Sequence, residues 1–160
     1  MAPRFHQLAL LILGAGIAIC CAPVEPTQPS NILILLIDDF GVDMVGAYEE
    51  GTEPPPTPNI DRLASRGVLF RNAWSYPNCS PTRAAIHTGR YAFRTGIGTL
   101  VRPWGYALPL RELTIPEMLT LGTKGLFSTA AIGKWHLGNE SVGGPHAPNQ
   151  AGYHHFAGTL

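Results

Sequence analysis

The stretch NCSPTRAAIHTGR (78–90) predicts a helix that carries a reactive group on its first turn. Ser80 is a favourable N-cap, and Pro81 suits the first helical position because it has no amide hydrogen to leave unpaired. Gly89 is the residue type that commonly follows the last residue of a helix. The stretch therefore specifies the start and the end of one helix, and we expect the rest of the chain to be arranged around it.

Cys79 and Arg83 lie four residues apart, so they can share one face of this helix. Helical side chains lean toward the N-terminus, which directs the guanidinium toward residue 79. Exposed amides, the positive end of the helix and an arginine together favour binding of a tetrahedral oxyanion. The alternative is a well-capped surface helix with one inert thiol. A cysteine phosphatase is disfavoured, because its loop needs a longer spacing between Cys and Arg than the three residues found here.

Length and composition indicate about one domain without a surface for nucleic acid. The chain has 160 residues, a formal net charge of zero and 14% charged residues, so no basic face favours nucleic acid as a partner. Its 18 glycines and 15 prolines predict a loop-rich architecture with short elements.

The N-terminal residues predict an exported protein. Residues 1–22 combine a basic start with an apolar run of signal-peptide length, too short for a membrane span. Residues 23–30 form a polar, proline-rich tether that would suit a lipid anchor on Cys20 or Cys21. We therefore expect a periplasmic or extracellular protein, either released by ordinary signal cleavage or lipid-anchored.

Cys79 has no partner for a disulfide within the domain, because the other two of the three cysteines lie in the N-terminal segment. A lone thiol in an exported protein fits a cysteine that is kept for modification.

A buried strand that ends in two carboxylates is predicted ahead of the helix. Asn31 to Ile37 (NILILLI) is a continuous apolar run typical of a fully buried parallel strand, and Asp38 and Asp39 follow it. Ligand sites in open α/β sheets lie beyond the carboxyl ends of strands. Adjacent carboxylates repel each other unless donors or a cation compensate, and a hard divalent ion would do so. A turn or a helix cap is the alternative role for this pair.

Local patterns predict four further elements. Residues 57–67 predict a capped helix, residues 68–74 a strand and residues 90–110 a long loop. The capping-box spacing of Thr114 and Glu117 opens a short helix that ends at Gly122.

A second buried strand is predicted at Phe127 to Ile132, and it leads into GKWHLG (133–138). In an extended segment Lys134 and His136 point to the same side, while Trp135 points to the other. A cation and an imidazole would then face one site from the end of a strand. A surface lysine and an ordinary histidine are the alternative.

Three motifs together resemble those of the type I, formylglycine-dependent sulfatases of the alkaline-phosphatase-like superfamily. They are Cys-x-Pro-x-Arg (79–83) followed by Thr-Gly-Arg (88–90), the aspartate pair 38–39, and GKWHLG (133–138). The family more often has Ser at Thr82 and Leu at His87, which are mild departures.

The resemblance implies an α/β fold, the N-terminal portion of an alkaline-phosphatase-like three-layer sandwich with a mostly parallel sheet that is incomplete here. It makes residues 31–160 the N-terminal part of a sulfatase catalytic domain. Because members of the family are several times longer, we expect a truncated fragment that lacks further metal ligands and catalytic residues.

The resemblance also implies catalytic roles. Cys79 would be oxidised to formylglycine by a formylglycine-generating enzyme, and the hydrate of that aldehyde would be the nucleophile. Arg83 and Lys134 would stabilise charge on the sulfate, and His136 would act as the base on the hydrate. Lys134 and His136 would also bind the substrate.

The cofactor and the substrate follow from the same resemblance. Asp38, Asp39 and residue 79 would hold a divalent cation, calcium first and magnesium as the alternative. The activity would be arylsulfatase-like hydrolysis of a sulfated small molecule or glycan. A phosphonate or phosphodiester hydrolase on the same scaffold, and a non-catalytic membrane-tethered remnant, remain as alternatives.

Overall fold

The structure, a computed structural model, describes residues 30–160. The chain divides into a first unit, Met1–Leu36, and a second unit, Ile37–Leu160. The predicted signal sequence (1–22) and residues 23–29 of the predicted tether lie outside the described residues. Every helix and strand of the described part belongs to the second unit.

The apolar run Asn31 to Ile37 forms neither helix nor strand. Its large side chains are exposed, and Leu33 reaches 81% exposure. The prediction of a buried strand here is therefore wrong. A strand needs a hydrogen-bonded neighbour for its amides and carbonyls, and an apolar pattern does not supply one. In the described residues the sheet pairs two other segments.

Helix α1 spans Pro58–Arg66, as predicted, but the side chain of Thr57 at its N-cap position makes no capping hydrogen bond. Asp61 connects it to the preceding turns, because its Oδ1 accepts hydrogen bonds from the Ala47 amide and the Thr57 hydroxyl, both at 2.9 Å. Two 3-10 turns precede the helix, at Val42–Met44 and Gly46–Tyr48. The strand predicted at residues 68–74 is wrong, since that segment consists of bends and irregular backbone without a paired neighbour.

Helix α2 spans Cys79–Thr88, and Asn78 occupies the N-cap position. The prediction of Ser80 as the N-cap is wrong. Ser80 is fully buried, and its hydroxyl accepts a hydrogen bond from the Val101 amide at 3.0 Å. A distant loop thus uses the hydroxyl that the local pattern assigned to the helix end. Pro81 still lies in the first turn, where an amide has no intrahelical partner.

Gly89 follows helix α2 as predicted, with a φ of 66° and its amide donating to the Ala85 carbonyl oxygen at 2.8 Å. Glycine suits this left-handed backbone because it has no Cβ. Residues 90–110 are irregular, as predicted, apart from the short helix α3, Ala92–Thr95.

Helix α4 spans Ile115–Thr123, one residue beyond the predicted end. Its capping box is confirmed. Glu117 Oε2 accepts a hydrogen bond from the Thr114 amide at 2.9 Å, and the Thr114 side chain accepts one from the Glu117 amide. A 3-10 turn at Gly144–His146 leads into the short helix α5, Ala147–Gln150.

The sheet of the described residues has two parallel strands. Strand β1, Ala130–Lys134, pairs with strand β2, His155–Thr159, and Ile132 lies opposite Ala157. Strand β1 begins later than the predicted Phe127 and extends to Lys134, so the GKWHLG segment begins inside the strand. The parallel pairing and the helices agree with the predicted α/β class.

The core of the second unit packs behind the end of β1. It contains buried apolar side chains from α2, from the loop before α4, from the segment after β1 and from α5, namely Ala84, Ile97, Val101, Ala107, Leu108, Trp135, Leu137, Ala147 and Ala151. Outward-facing side chains remain uncovered, and Ile132 of β1 is 83% exposed. Parallel sheets are normally covered on both faces, so this is a partial α/β architecture. No helix within residues 30–160 combines the length and the hydropathy needed to cross a bilayer.

Candidate active site

Three segments of the second unit meet at the first turn of helix α2. The loop after Ile37 contributes Asp38 and Asp39, the helix contributes Cys79 and Arg83, and the end of strand β1 contributes Lys134. The structure thus brings together residues that the sequence placed in three separate motifs.

Lys134 connects the three segments. Its Nζ donates hydrogen bonds to Asp38 Oδ2 at 2.6 Å and to Cys79 Sγ at 3.2 Å. The side chains of Lys134 and Asp38 are 36% and 33% exposed, so a ligand can reach them. The hydrogen bond from Lys134, followed by that from Cys79, lowers the pKa of Asp38 to about 2. The same ion-paired bond raises the pKa of Lys134. Both groups are therefore charged throughout the neutral pH range.

Arg83 lies behind this pair, with only 8% of its side chain exposed. Its Nη1 donates to the Lys134 carbonyl oxygen, and its Nη2 lies 3.4 Å from Asp38 Oδ2. A buried guanidinium needs acceptors to offset its lost hydration, and these two oxygens supply them. Its Nε is buried without a hydrogen-bond partner among the described residues. Arg83 therefore holds the end of β1 against the helix and adds positive charge behind Cys79.

Asp38, Asp39 and Cys79 form the candidate metal site of the described residues. One ligand atom from each lies within 4.8 Å of the other two. Carboxylates suit hard cations such as Ca²⁺ and Mg²⁺, whereas a thiol does not. The donor set fits such a cation when residue 79 carries oxygen in place of sulfur. It is a partial set, since Ca²⁺ takes about six to eight oxygen ligands.

His136 lies beyond the end of the strand, and its φ of 56° is in the left-handed region. The prediction that the chain stays extended through His136 is therefore wrong, because β1 ends at Lys134. Trp135 is nevertheless buried at 3% exposure, while Lys134 and His136 are more accessible. The backbone thus turns directly after Trp135, whose ring packs in the core.

The ring of His136 has an environment that keeps it neutral. Burial is the main cause of its lowered pKa, the Lys134 charge is the second, and a backbone hydrogen bond with Val101 opposes them. Its Nδ1 is buried and has no hydrogen-bond partner among the described residues.

Asp39, like His136, has a left-handed φ, of 52°. Non-glycine residues in this region are uncommon and concentrate where a site constrains the backbone.

Two positions that support the site were missed by sequence reasoning. Ser80 anchors the first turn of α2 to the Val101 amide. The hydroxyl of Thr82 accepts a hydrogen bond from the Tyr76 amide at 3.1 Å and lies 3.0 Å from the Asn78 carbonyl oxygen. A hydroxyl residue four positions after the N-cap is a local signal that could have identified the role of Thr82, whereas nothing local indicates the partner of Ser80.

Comparison with known proteins identifies relatives along the whole described chain. The Sulfatase family model matches residues 30–160. The chain is 40% identical to N-acetylgalactosamine-6-sulfatase of Sus scrofa over 86% of its own length and 38% identical to arylsulfatase A of Homo sapiens over 93%. It is 35% identical to steryl-sulfatase of Mus musculus over 98%.

A solved structure is similar in fold as well as in sequence. The crystal structure of Ps i-CgsB in complex with k-i-k-neocarrahexaose superposes with a TM-score of 0.54 and 34% sequence identity, over 64% of this chain and 22% of that one. The chain spans about a quarter of the curated relatives, 26% of the porcine enzyme and 27% of the human and murine ones.

Proposed function

The chain belongs to the sulfatase family, and from this premise we propose that the full-length protein hydrolyses organic sulfate esters at residue 79. The observation that carries the proposal is the convergence of Lys134, Arg83 and the two aspartates on Cys79 at the start of a helix. Positive side chains and helix amides at one point favour a tetrahedral anion such as a sulfate ester.

In the proposed reaction, residue 79 acts as formylglycine, which a formylglycine-generating enzyme makes from Cys79. The hydrated aldehyde supplies two oxygens on one carbon, which a thiol cannot. Helix α2 fixes the backbone of residue 79, and the partial exposure of its side chain leaves it accessible. Lys134, which donates a hydrogen bond to Cys79 Sγ at 3.2 Å, would also donate to the substrate's sulfate oxygens.

Asp38 and Asp39 would hold a divalent cation together with residue 79, with Ca²⁺ first and Mg²⁺ as the alternative. Such a cation would supply charge that polarises bound oxygens and favours their deprotonation. The present chain contributes two carboxylates, and Asp38 is shared with the Lys134 ammonium. The hydrogen bonds from Lys134 and Cys79, and then the charges of Lys134 and Arg83, lower the pKa of Asp38 and keep it ionised, as metal binding requires.

His136 would accept the proton that is released when sulfate leaves. Its lowered pKa leaves the ring unprotonated, with a nitrogen free to accept that proton. The charge of Lys134 is close enough to influence the ring, which supports a position at the same site. Lys134 and His136 would also bind the substrate.

The substrate class is a sulfated small molecule or glycan. The names of the relatives include N-acetylgalactosamine-6-sulfatase and steryl-sulfatase, and the structural neighbour is a complex with k-i-k-neocarrahexaose. We further propose that the protein is exported to the periplasm or the cell exterior, with Cys20 or Cys21 as a point of lipid attachment. Cell fractionation and mass analysis of the mature N-terminus test this location.

The test uses the full-length protein produced together with a formylglycine-generating enzyme. Intact-mass measurement establishes whether the thiol of Cys79 has become an aldehyde, and para-nitrophenyl sulfate and bis-para-nitrophenyl phosphate serve as matched substrates. We expect faster turnover of the sulfate, lost in Cys79→Ala and on chelation of divalent cations. Preference for the phosphodiester would replace the proposal with a phosphodiesterase, and no turnover of either ester by the modified protein would refute catalysis.

A further inference from the structure

Behind the candidate active site, three rings form a cluster that none of the proposed catalytic steps uses. His87 lies on the last turn of α2, and its ring centroid is 4.8 Å from that of Trp135. Tyr153 packs edge-on against both, with centroids 5.8 Å and 6.0 Å away. The Tyr153 hydroxyl is also hydrogen-bonded to His87 Nδ1 at 3.0 Å. We call His87, Trp135 and Tyr153 the aromatic cluster.

The aromatic cluster and the reactive residue share one face of helix α2. Cys79, Arg83 and His87 follow one another at intervals of four residues, so their side chains line up along the helix. Arg83 donates to the carbonyl oxygen of Lys134, and one turn later His87 meets the ring of Trp135. The helix therefore contacts two consecutive residues, Lys134 at the end of β1 and Trp135 directly after it.

Trp135 lies between the two residues of this segment that are proposed to act on the substrate, Lys134 and His136. Its ring is 3% exposed, and its Nε1 is buried without a hydrogen-bond partner in the described part of the chain. Packing against its neighbours and the bond from its amide to the Thr159 carbonyl oxygen at 2.8 Å therefore fix it. Any rotation of Trp135 would redirect the side chains on both sides.

We propose that His87 is a positioning residue, which packs on Trp135 and bonds to Tyr153 so that the Lys134 ammonium stays beside residue 79 and Asp38. The effect on turnover rests on the proposed function, whereas the positioning of Lys134 can be measured without it.

The neutral imidazole suits this partly buried place. Burial, with a smaller contribution from the charge of Arg83, lowers the pKa of His87 to about 4. Burial also raises the pKa of Tyr153, so the phenol keeps its proton. One neutral ring nitrogen and one hydroxyl thus form the hydrogen bond without placing a charge against Trp135.

The first measurement uses the full-length protein with Cys79 left unmodified. The Lys134 ammonium donates a hydrogen bond to Cys79 Sγ at 3.2 Å, so the rate at which iodoacetamide alkylates Cys79, followed by peptide mass spectrometry, changes when Lys134 moves away. We expect His87→Ala, which removes both the ring contact and the hydrogen bond, to shift this rate most of the way to that of Lys134→Ala. Asp61→Ala is the control, since it removes two hydrogen bonds around α1 and should lower the melting temperature without changing the rate.

The second measurement uses the formylglycine form with para-nitrophenyl sulfate. We expect His87→Ala to lower kcat about tenfold per folded molecule, with a smaller rise in KM, because a misplaced Lys134 weakens transition-state contacts more than substrate contacts. Tyr153→Phe, which removes only the hydroxyl, should show a smaller change in both measurements and replaces His87→Ala if that variant does not fold.

The outcomes separate the two proposals. A lower melting temperature with unchanged alkylation and unchanged kcat would overturn the positioning role of His87. Alkylation that responds as expected in a protein without any sulfatase turnover would sustain the positioning role and refute the proposed function.

Discussion

The first turn of helix α2 lies among charges that solvent can reach, whereas its last turn packs against aromatic rings. At the first turn, Cys79 faces an ammonium that is one-third exposed. At the last turn, His87 contacts Trp135, which is 3% exposed. Exposed ion pairs contribute little to stability but leave groups available to a ligand, while buried rings contribute packing. Helix α2 thus has a reactive end at Cys79 and an anchoring end at His87.

The largest expected effect lies at the reactive end. Cys79→Ala should abolish sulfatase turnover, on the order of a thousandfold or more, because it removes the proposed nucleophile. The melting temperature should change little, since the side chain is only partly buried and contributes no core packing. Steady-state kinetics and thermal unfolding of the same preparation measure both. A large loss of stability would contradict the separation of the two ends.

Arg83 connects the two ends of α2, so its replacement should affect both turnover and stability. Arg83→Lys keeps the charge but cannot reach the Lys134 carbonyl oxygen and Asp38 Oδ2 with two planar donors. We expect kcat to fall about a hundredfold and the free energy of unfolding to fall by about 2 kcal/mol. Urea unfolding and kinetics test this, and an unchanged free energy of unfolding would show that Arg83 acts only on the substrate.

The anchoring end should be sensitive to acid. The pKa of His87 is about 4 in the folded protein against 6.5 for an unperturbed histidine, mainly because of burial and then because of Arg83. At a pH between these two pKa values, residue 87 is protonated in the unfolded chain but not in the folded protein. Stability should therefore be complete above pH 6.5 and decrease as the pH falls toward 4, by roughly 2 to 3 kcal/mol.

Urea unfolding of the wild type and His87→Leu across this pH range isolates the effect. The variant should be less stable at neutral pH, but its stability should decline less steeply toward acid. Equal slopes for the two proteins would show that His87 does not titrate differently on folding.

The smallest expected effect is at the residue that ends the helix. Gly89 has a φ of 66°, and a Cβ there would meet nothing within 4 Å. Gly89→Ala should therefore destabilise the protein by about 1 kcal/mol through backbone strain alone, with kcat unchanged. Gly98→Ala is the matched control, because that position is equally open but lacks a positive φ. A loss of turnover in Gly89→Ala would mean that the anchoring end of α2 is not a rigid support for the reactive end.

Elements were predictable where neighbouring residues decide them. Helices α1 and α4 formed as predicted because their proline starts and the Thr114 capping box act within one turn. The strands predicted at 31–37 and 68–74 failed because a strand depends on a partner that the local pattern does not contain. Strand β1 formed, but its limits follow its register with β2 rather than its own apolar run.

The sequence by itself determined the three motifs, the ends of helix α2 near Cys79 and Gly89, and the chemical types of the groups at the site. Only the tertiary structure decided that Lys134 reaches Asp38 across 96 positions of the chain and that His87 meets Tyr153 across 66. The physical reason is the range of the interactions. Caps and helical spacing act over a few residues, whereas the ion pair and the aromatic cluster exist only where folding brings distant segments into contact.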